Sequence, residues 1–197
     1  MKHMTRQFLV LASAACMFSS CTPATPPSRF YRLAPSAAAH VQAGKKPPSI
    51  GIGPIEIAHY LDQPQIVTQQ SDYEYRAHEF NRWVEPLRGT IPALLRENLA
   101  ARLHSDAIFD YPWTSGVARP QYQLGIDILR LHCTADRRCE LLAFWELSDL
   151  QQGQVITVRE SVLSAAAAGP EYSDQAAALS GLLGQLADEM AKAVPSH

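Results

Sequence analysis

The chain has 197 residues, of which 47% are hydrophobic and 18% are charged, and its formal net charge is −2. This length and composition predict one globular domain of ordinary size with enough apolar residues for a core. The slight acidity argues against a nucleic-acid or anionic-lipid partner, since both would require a basic surface.

The first 20 residues predict a secretory signal peptide. Lys2 and Arg6 precede an apolar run over residues 8–18, and no acidic residue interrupts them. Signal peptides have this order and length. The run is shorter than the roughly 20 residues that cross a bilayer, and three prolines follow it, so we do not expect a transmembrane helix. Residues 1–20 are therefore the predicted signal.

Cys21 is the predicted lipidation site. Two serines precede it, and small residues directly before a cysteine resemble a lipobox, in which the cysteine receives lipid and becomes the mature N-terminus. Phe18 stands where the lipobox pattern prefers leucine. The alternative is ordinary cleavage near Ser20, with Cys21 as a chance thiol. An acyl anchor would contribute about 0.8 kcal/mol per buried CH₂ to membrane binding.

The mature chain divides into a tether and one domain. Residues 21–28 are predicted to be the lipidated cysteine and an extended, proline-rich tether, and residues 29–194 a single α+β domain. Removal of the signal leaves 15 basic and 19 acidic residues, a formal net charge of −4. We therefore expect a partner that is protein or apolar lipid, and no nucleic acid.

The first half of the domain predicts strands followed by a helix. Residues 30–33 and 49–57 are predicted strands, and residues 60–67 and 73–76 a hairpin around a polar turn. Residues 79–83 are expected to bridge into a helix. One apolar stripe of this helix is formed by Leu87, Ile91, Leu94, Leu95, Leu99 and Leu103. Pro92 lies inside that stripe, so the helix either kinks there or begins near Thr90. Residues 109–113 are predicted to be irregular or briefly extended.

The second half predicts an antiparallel meander and a last helix. The meander strands are residues 122–132, 140–149 and 154–164. The helix begins near Ser173 or Asp174, ends before Pro195, and has one apolar face with Leu179, Leu182, Leu183, Leu186 and Met190. Two amphipathic helices packed on one face of a largely antiparallel sheet give an α+β fold.

Cys133 and Cys139 are the cysteines left to the mature domain once Cys16 and Cys21 are set aside. Five polar residues separate them between two strands, which favours a disulfide across a hairpin end in an oxidising compartment. A metal site that also uses His132 is the alternative. Zinc normally requires four ligands, and no second cluster is present, so we expect no metal.

No catalytic residue is predicted, and no cofactor. The histidines share no ligand spacing, and no hydrolase or metalloprotease motif occurs. Asp62 could act as a base, although an aspartate beside a proline is more often part of a turn. Arg82 next to Trp83 could bind a phosphate or a protein partner, or it could pack on the indole as local structure.

Two segments carry a family resemblance. Residues 60–67 read YLDQPQIV and residues 79–87 read EFNRWVEPL. Together with the lipobox-like start, the meander and the last helix, they resemble the ABC-type transport auxiliary lipoprotein family. The resemblance implies a non-enzymatic outer-membrane lipoprotein that works with an MCE-domain protein of the inner membrane, in assemblies that carry lipids between the two membranes. Thr22, rather than aspartate, after Cys21 is consistent with outer-membrane sorting.

The resemblance leaves the role of these segments open. Tyr60, Asp62, Asn81, Arg82 and Trp83 either pack the hairpin or form a docking surface for the partner. A homo-oligomer matching a symmetric tube is plausible by analogy alone.

Two further functions are open from the residues themselves. One is an outer-membrane lipoprotein that regulates a cell-wall synthase, for which a longer tether would be expected. The other is a soluble periplasmic enzyme, which would need an unlipidated Cys21 and a catalytic constellation. The short tether favours the transport function.

Overall fold

The computed structural model describes residues 25–36, 48–112 and 119–195. The predicted signal peptide and Cys21 lie outside the described residues. Within them, the strands are β1 (Arg29–Tyr31), β2 (Ile50–Ile57), β3 (Gln65–Ser71), β4 (Glu74–Trp83), β5 (Ile108–Asp110), β6 (Tyr122–Thr134), β7 (Arg138–Asp149) and β8 (Gln154–Ala166). The helices are a 3₁₀ turn (His59–Leu61), α1 (Leu87–Leu103) and α2 (Tyr172–Ala193). No helix among the described residues is long and apolar enough to cross a membrane.

All the strands belong to one sheet, with β6 at its centre. One side of β6 pairs with β7, which pairs with β8, and both ladders are long and antiparallel. The other side of β6 pairs in parallel with β2 and, at its carboxyl end, with β3. Beyond β3 lie β4 and β1, and beyond β2 lies β5. The predicted meander is confirmed, whereas the parallel pairs were not predicted.

Both helices cover one face of this sheet. Helix α1 packs against β2 and β5, and α2 packs against β6, β7 and β8. Alternate side chains of β7 face the helices and are buried, as expected for a strand with one covered face. These are Cys139, Leu141, Ala143, Trp145 and Leu147. The five predicted apolar residues of α2 are buried as well, so the α+β prediction is confirmed.

Both helices begin slightly earlier than the residue patterns indicated. Pro86 is the N-cap of α1, and the helix runs from Leu87 through Pro92 without interruption. Of the two alternatives for this helix, the start near Thr90 is wrong; Thr90 Oγ1 donates to the Pro86 carbonyl at 3.1 Å inside the first turn. Helix α2 is capped by Glu171, whose side chain and that of Asp174 form a capping box.

Residues 79–83 are not a bridge into the helix; they complete β4. Arg82 lies opposite Gln65, but His78 lies opposite the next residue of β3, Ile66. Residues 79–81 therefore form a bulge in β4. Strand β1 pairs in parallel with residues 81–83. This long-range pairing keeps the segment extended, and local periodicity carries no sign of it.

A disulfide joins Cys133 and Cys139 across the β6–β7 hairpin. Replacing both cysteines with alanine should lower the free energy of unfolding by about 2–3 kcal/mol, because the short covalent loop no longer restricts the unfolded chain. Urea unfolding of the oxidised protein and the double variant measures this difference, with the reduced protein as the matched control. Equal stability of all three would show that the hairpin ladder alone holds this turn.

Candidate functional site

The two family segments meet at one end of the β3–β4 hairpin. Residues 62–64 lead into β3, and residues 83–86 leave β4 toward α1. The Trp83 N–H donates to the Pro64 carbonyl at 2.7 Å, and the Val84 N–H donates to the Tyr31 carbonyl at 2.8 Å. Antiparallel pairing thus brings together two stretches that are about twenty residues apart in the chain.

Between these stretches lies a groove of about 320 Å³, which we call the motif groove. It is lined by Asp62, Gln63, Pro64, Trp83, Val84, Glu85 and Pro86. Trp83 is buried and forms its apolar base, whereas Val84 is 57% exposed. An exposed valine beside a buried indole gives the groove an apolar strip that an incoming side chain could cover.

Carboxylates border the motif groove. Asp62 Oδ2 accepts from Arg88 Nε at 3.0 Å, and Arg88 Nη1 lies 3.8 Å from Glu56 Oε2. Among the described residues, Glu85 has no ion-pair partner. The Asp62 contact supports its structural interpretation over that of a base, although an exposed pair of this kind contributes at most about 1 kcal/mol to stability.

Asn81 and Arg82 do not line the motif groove. Asn81 Oδ1 accepts from the Tyr31 hydroxyl at 3.0 Å, which joins β4 to β1. Arg82 Nη1 lies 3.4 Å from Glu79 Oε1, and Gln65 donates to the other oxygen of the same carboxylate. Asn81 therefore has a hydrogen-bond partner in β1, and Arg82 has an ion-pair partner in β4.

Tyr60 belongs to a separate polar cluster. Its hydroxyl lies 2.9 Å from His132 Nδ1, and His132 Nε2 lies 3.0 Å from Gln69 Oε1. Since the Gln69 carbonyl oxygen can only accept, Nε2 carries the proton and Nδ1 accepts from Tyr60. The Leu131 N–H donates to the same hydroxyl at 3.4 Å. Burial raises the pKa of Tyr60 to about 12, so the phenol remains protonated.

This cluster attaches the 3₁₀ turn to β6 and β3. His132 was considered above as a metal ligand beside the two cysteines, but its ring nitrogens are both engaged and the thiols form the disulfide. No group of three candidate metal ligands occurs in the described part of the chain. The Tyr60 hydroxyl therefore contributes to packing between the 3₁₀ turn and the sheet. Of the five residues considered for partner contact, Asp62 and Trp83 line the motif groove.

A second histidine, His78, is half-buried, and its structural role was not predicted from the sequence. His78 Nε2 lies 2.8 Å from Thr68 Oγ1, and His78 Nδ1 lies 2.8 Å from the Tyr172 hydroxyl. The ring thereby connects the hairpin to the first turn of α2. The only sequence signal for it is a polar residue of β4 next to the buried strand β3.

The lowered pKa values of His78 and His132 predict that the folded protein is less stable in mild acid. Burial lowers the pKa of both His78 and His132 below the ordinary histidine value. Their contribution is fully present above the unfolded pKa of about 6.5. It is lost as the pH falls below that value, because the unfolded chain then binds protons that the folded chain resists.

Urea unfolding at pH 7.5 and pH 5.5 measures this effect. The free energy of unfolding should be lower at pH 5.5, and His132→Asn should reduce the difference between the two pH values. An unchanged difference in that variant would contradict the assignment of the pH dependence to His132.

Comparison with known proteins agrees with this architecture. Residues 31–191 match the family described as the ABC-type transport auxiliary lipoprotein component. No curated protein matches the chain. In fold the chain is similar to an uncharacterised protein of known crystal structure, with a TM-score of 0.70 and 19% identity over 85% of this chain and 98% of that one. It is similar also to protein XCC0632 from Xanthomonas campestris, with a TM-score of 0.69 and 14% identity over 83% and 93% of the two chains.

The family match covers both segments of the motif groove, strands β2 to β8 and nearly all of α2. The two crystal structures support the fold and nothing further, because their identity to this chain is low. The chain belongs to the ABC-type transport auxiliary lipoprotein family.

Proposed function

We propose that this transport-associated lipoprotein is an outer-membrane accessory subunit of an MCE-type intermembrane lipid transport system. In this proposal, lipid on Cys21 holds the domain at the periplasmic face of the outer membrane. The motif groove then docks onto the periplasmic end of an MCE-domain protein from the inner membrane. The domain acts as a coupling piece without chemistry of its own.

The observation that carries the docking step is the exposed strip of the motif groove. The core does not depend on the side chain of Val84, which is mostly exposed. Glu85 has no ion-pair partner among the described residues. An apolar residue exposed next to a free carboxylate suits a protein contact with an apolar side chain and a nearby cation. The residues that line this groove belong to the two segments that carry the family resemblance.

The tether limits how far the domain can stand from its anchor. From Cys21 to Arg29 the chain can span at most about 28 Å when fully extended. The far end of this span is held by β1 and by an ion pair of 3.0 Å between Arg29 and Glu171. The Ala34 N–H also donates to Ser180 Oγ at 3.1 Å. A domain held this close to the outer membrane suits docking at the end of a periplasmic assembly that faces the outer membrane.

Val84→Asp combined with Glu85→Lys tests the docking step. Crosslinked purification of the full-length protein should recover an MCE-domain protein with the natural chain and lose at least about nine-tenths of it with the double variant, since a buried like charge costs several kcal/mol at an interface. Tyr73→Asp is the matched control, because Tyr73 is 98% exposed at the β3–β4 turn. Circular dichroism should show the same fold in all three proteins.

Undiminished recovery of the MCE-domain protein with the double variant would remove the motif groove from the docking surface. Recovery of a cell-wall synthase in its place would support the regulatory alternative. A homo-oligomer of this chain stays a prediction, and sedimentation of the same purified protein would test it.

A further inference from the structure

Strand β8 forms a long open edge of the sheet. It has 13 residues and pairs only with β7 within the described residues. Edge strands of soluble proteins are usually short, or carry lysine, proline or a cover that prevents pairing with other chains. Strand β8 contains neither lysine nor proline, and its two charged residues are Arg159 and Glu160. Among the described residues no strand pairs with its outer row of backbone N–H and C=O groups, which can therefore receive another strand.

The face of β8 opposite the helices carries exposed apolar side chains. Val155, Val158 and Val162 are 54%, 65% and 67% exposed. On the neighbouring strand, Phe144 is 40% exposed, and Leu142 lies opposite Val162. These five side chains, which we call the β8 patch, reach the open edge, and Glu160 lies between Val158 and Val162 on the same face.

Carboxylates surround the β8 patch. Phe144 has Asp127 opposite it on β6 and Glu160 opposite it on β8, and Glu146 lies opposite Val158. None of these three carboxylates forms an ion pair with a described residue. Arg130, opposite Leu142, is the basic residue in the same rows. Three carboxylates and one arginine leave these rows with a formal net charge of −2.

We propose that β8 binds an extended segment of another polypeptide, in which apolar residues and lysine or arginine take turns at every second position and so share one face of the added strand. Main-chain hydrogen bonds to the open edge would supply affinity, and alternate side chains would supply specificity. The apolar residues of that segment would extend the apolar surface of the β8 patch. Its cations would lie beside Glu146 and Glu160, where they would compensate the free carboxylates.

A second copy of this chain fits the edge poorly. Two β8 strands paired with each other would place the carboxylates of each copy in the same surface, and like charges disfavour such a contact. The other strands at the sheet margins, β1 and β5, have three residues each and cannot match the length of β8. A basic partner segment satisfies both the length and the charge of this edge. The β8 patch shares no residue with the motif groove, so this proposal does not depend on the docking step.

Two synthetic peptides of strand length test the proposal with detergent-solubilised full-length protein. Both peptides have threonine at every second position, which faces the other side of the strand. At the positions between, valine takes turns with lysine in one peptide and with glutamate in the other. Hydrogen exchange of the β8 amides and fluorescence titration provide the readouts. The lysine peptide should slow exchange along β8 and bind at least about tenfold more tightly than the glutamate peptide, which a charge difference at an exposed interface can supply.

Two variants keep the test specific. Glu146→Lys with Glu160→Lys should reverse the peptide preference, and Val158→Thr with Val162→Thr should weaken binding about tenfold, since threonine retains strand propensity but removes apolar contact. Equal binding of both peptides, or no binding of either, would overturn the proposal. Protection of the β8 amides by self-association without peptide would overturn it as well.

Discussion

Replacing Trp83 with alanine should lower the free energy of unfolding by about 3–5 kcal/mol, the usual cost of removing a buried aromatic side chain. Trp83 is 7% exposed and packs in the core against Leu61, Leu87 and Leu179. Its indole thus connects the 3₁₀ turn, α1 and α2. Urea unfolding monitored by circular dichroism measures the loss.

Val84→Ala is the matched control for Trp83→Ala, since its side chain adjoins the same groove but is mostly exposed. We expect a change within about 0.5 kcal/mol, as for surface substitutions in general. Similar stability of Trp83→Ala and the control would mean that Trp83 contributes to docking alone. That result would support a role of Trp83 in partner contact, as its family segment suggests.

Replacing Asp188 with alanine should lower the free energy of unfolding by about 2–3 kcal/mol, the range for losing a hydrogen bond to a charged group. The cost stays below that of breaking a fully buried ion pair, because the Asp188 side chain is 40% exposed. Arg102 is 3% exposed, and its Nε lies 2.5 Å from Asp188 Oδ1. The remaining guanidinium hydrogens reach Asn98 and Ser36. Without the carboxylate, the arginine keeps its charge in a buried position and loses the compensating anion.

Glu97→Gln is the control for Asp188→Ala, because Glu97 is an exposed carboxylate of α1. It should leave the free energy of unfolding nearly unchanged. Thermal unfolding followed by circular dichroism compares the two variants. If Asp188→Ala is as stable as the control, then Asn98 and Ser36 hold Arg102 without help from the carboxylate.

The parts of the fold predicted from sequence are those with a local pattern. Alternation over residues 122–164 predicted the meander because each strand has one face toward the helices. The leucine spacing of α2 predicted its buried face for the same reason. In both elements the burial of each residue depends on its immediate neighbours in the chain, so periodicity suffices.

Long-range contacts account for the parts that were missed. Strand β1 keeps residues 81–83 extended, and nothing in those residues indicates a parallel partner some fifty positions earlier. Gly184 is a similar case, since a Cβ there would overlap Ser36 Oγ and approach Arg102. Because Gly184 has no Cβ, the distant segment that contains Ser36 can pack against α2. The residue pattern of the helix gives no sign of this contact.

The candidate site was predicted in part. The family segments located the motif groove, and Asp62 and Trp83 do line it. Tyr60, Asn81 and Arg82 were expected either to pack the hairpin or to contact a partner, and their hydrogen bonds to His132, Tyr31 and Glu79 favour packing. Proximity in the chain could not separate the two groups, because the partners of Tyr60 and Asn81 are His132 on β6 and Tyr31 on β1, which are distant in sequence.

The most direct test of the proposed function is crosslinked affinity purification of the full-length lipoprotein from membranes, with mass spectrometry of its N-terminus and its partners. We expect a lipidated Cys21 together with an MCE-domain protein of the inner membrane. A cell-wall synthase as the recovered partner, or an unmodified Cys21 thiol without a partner, would contradict the proposal.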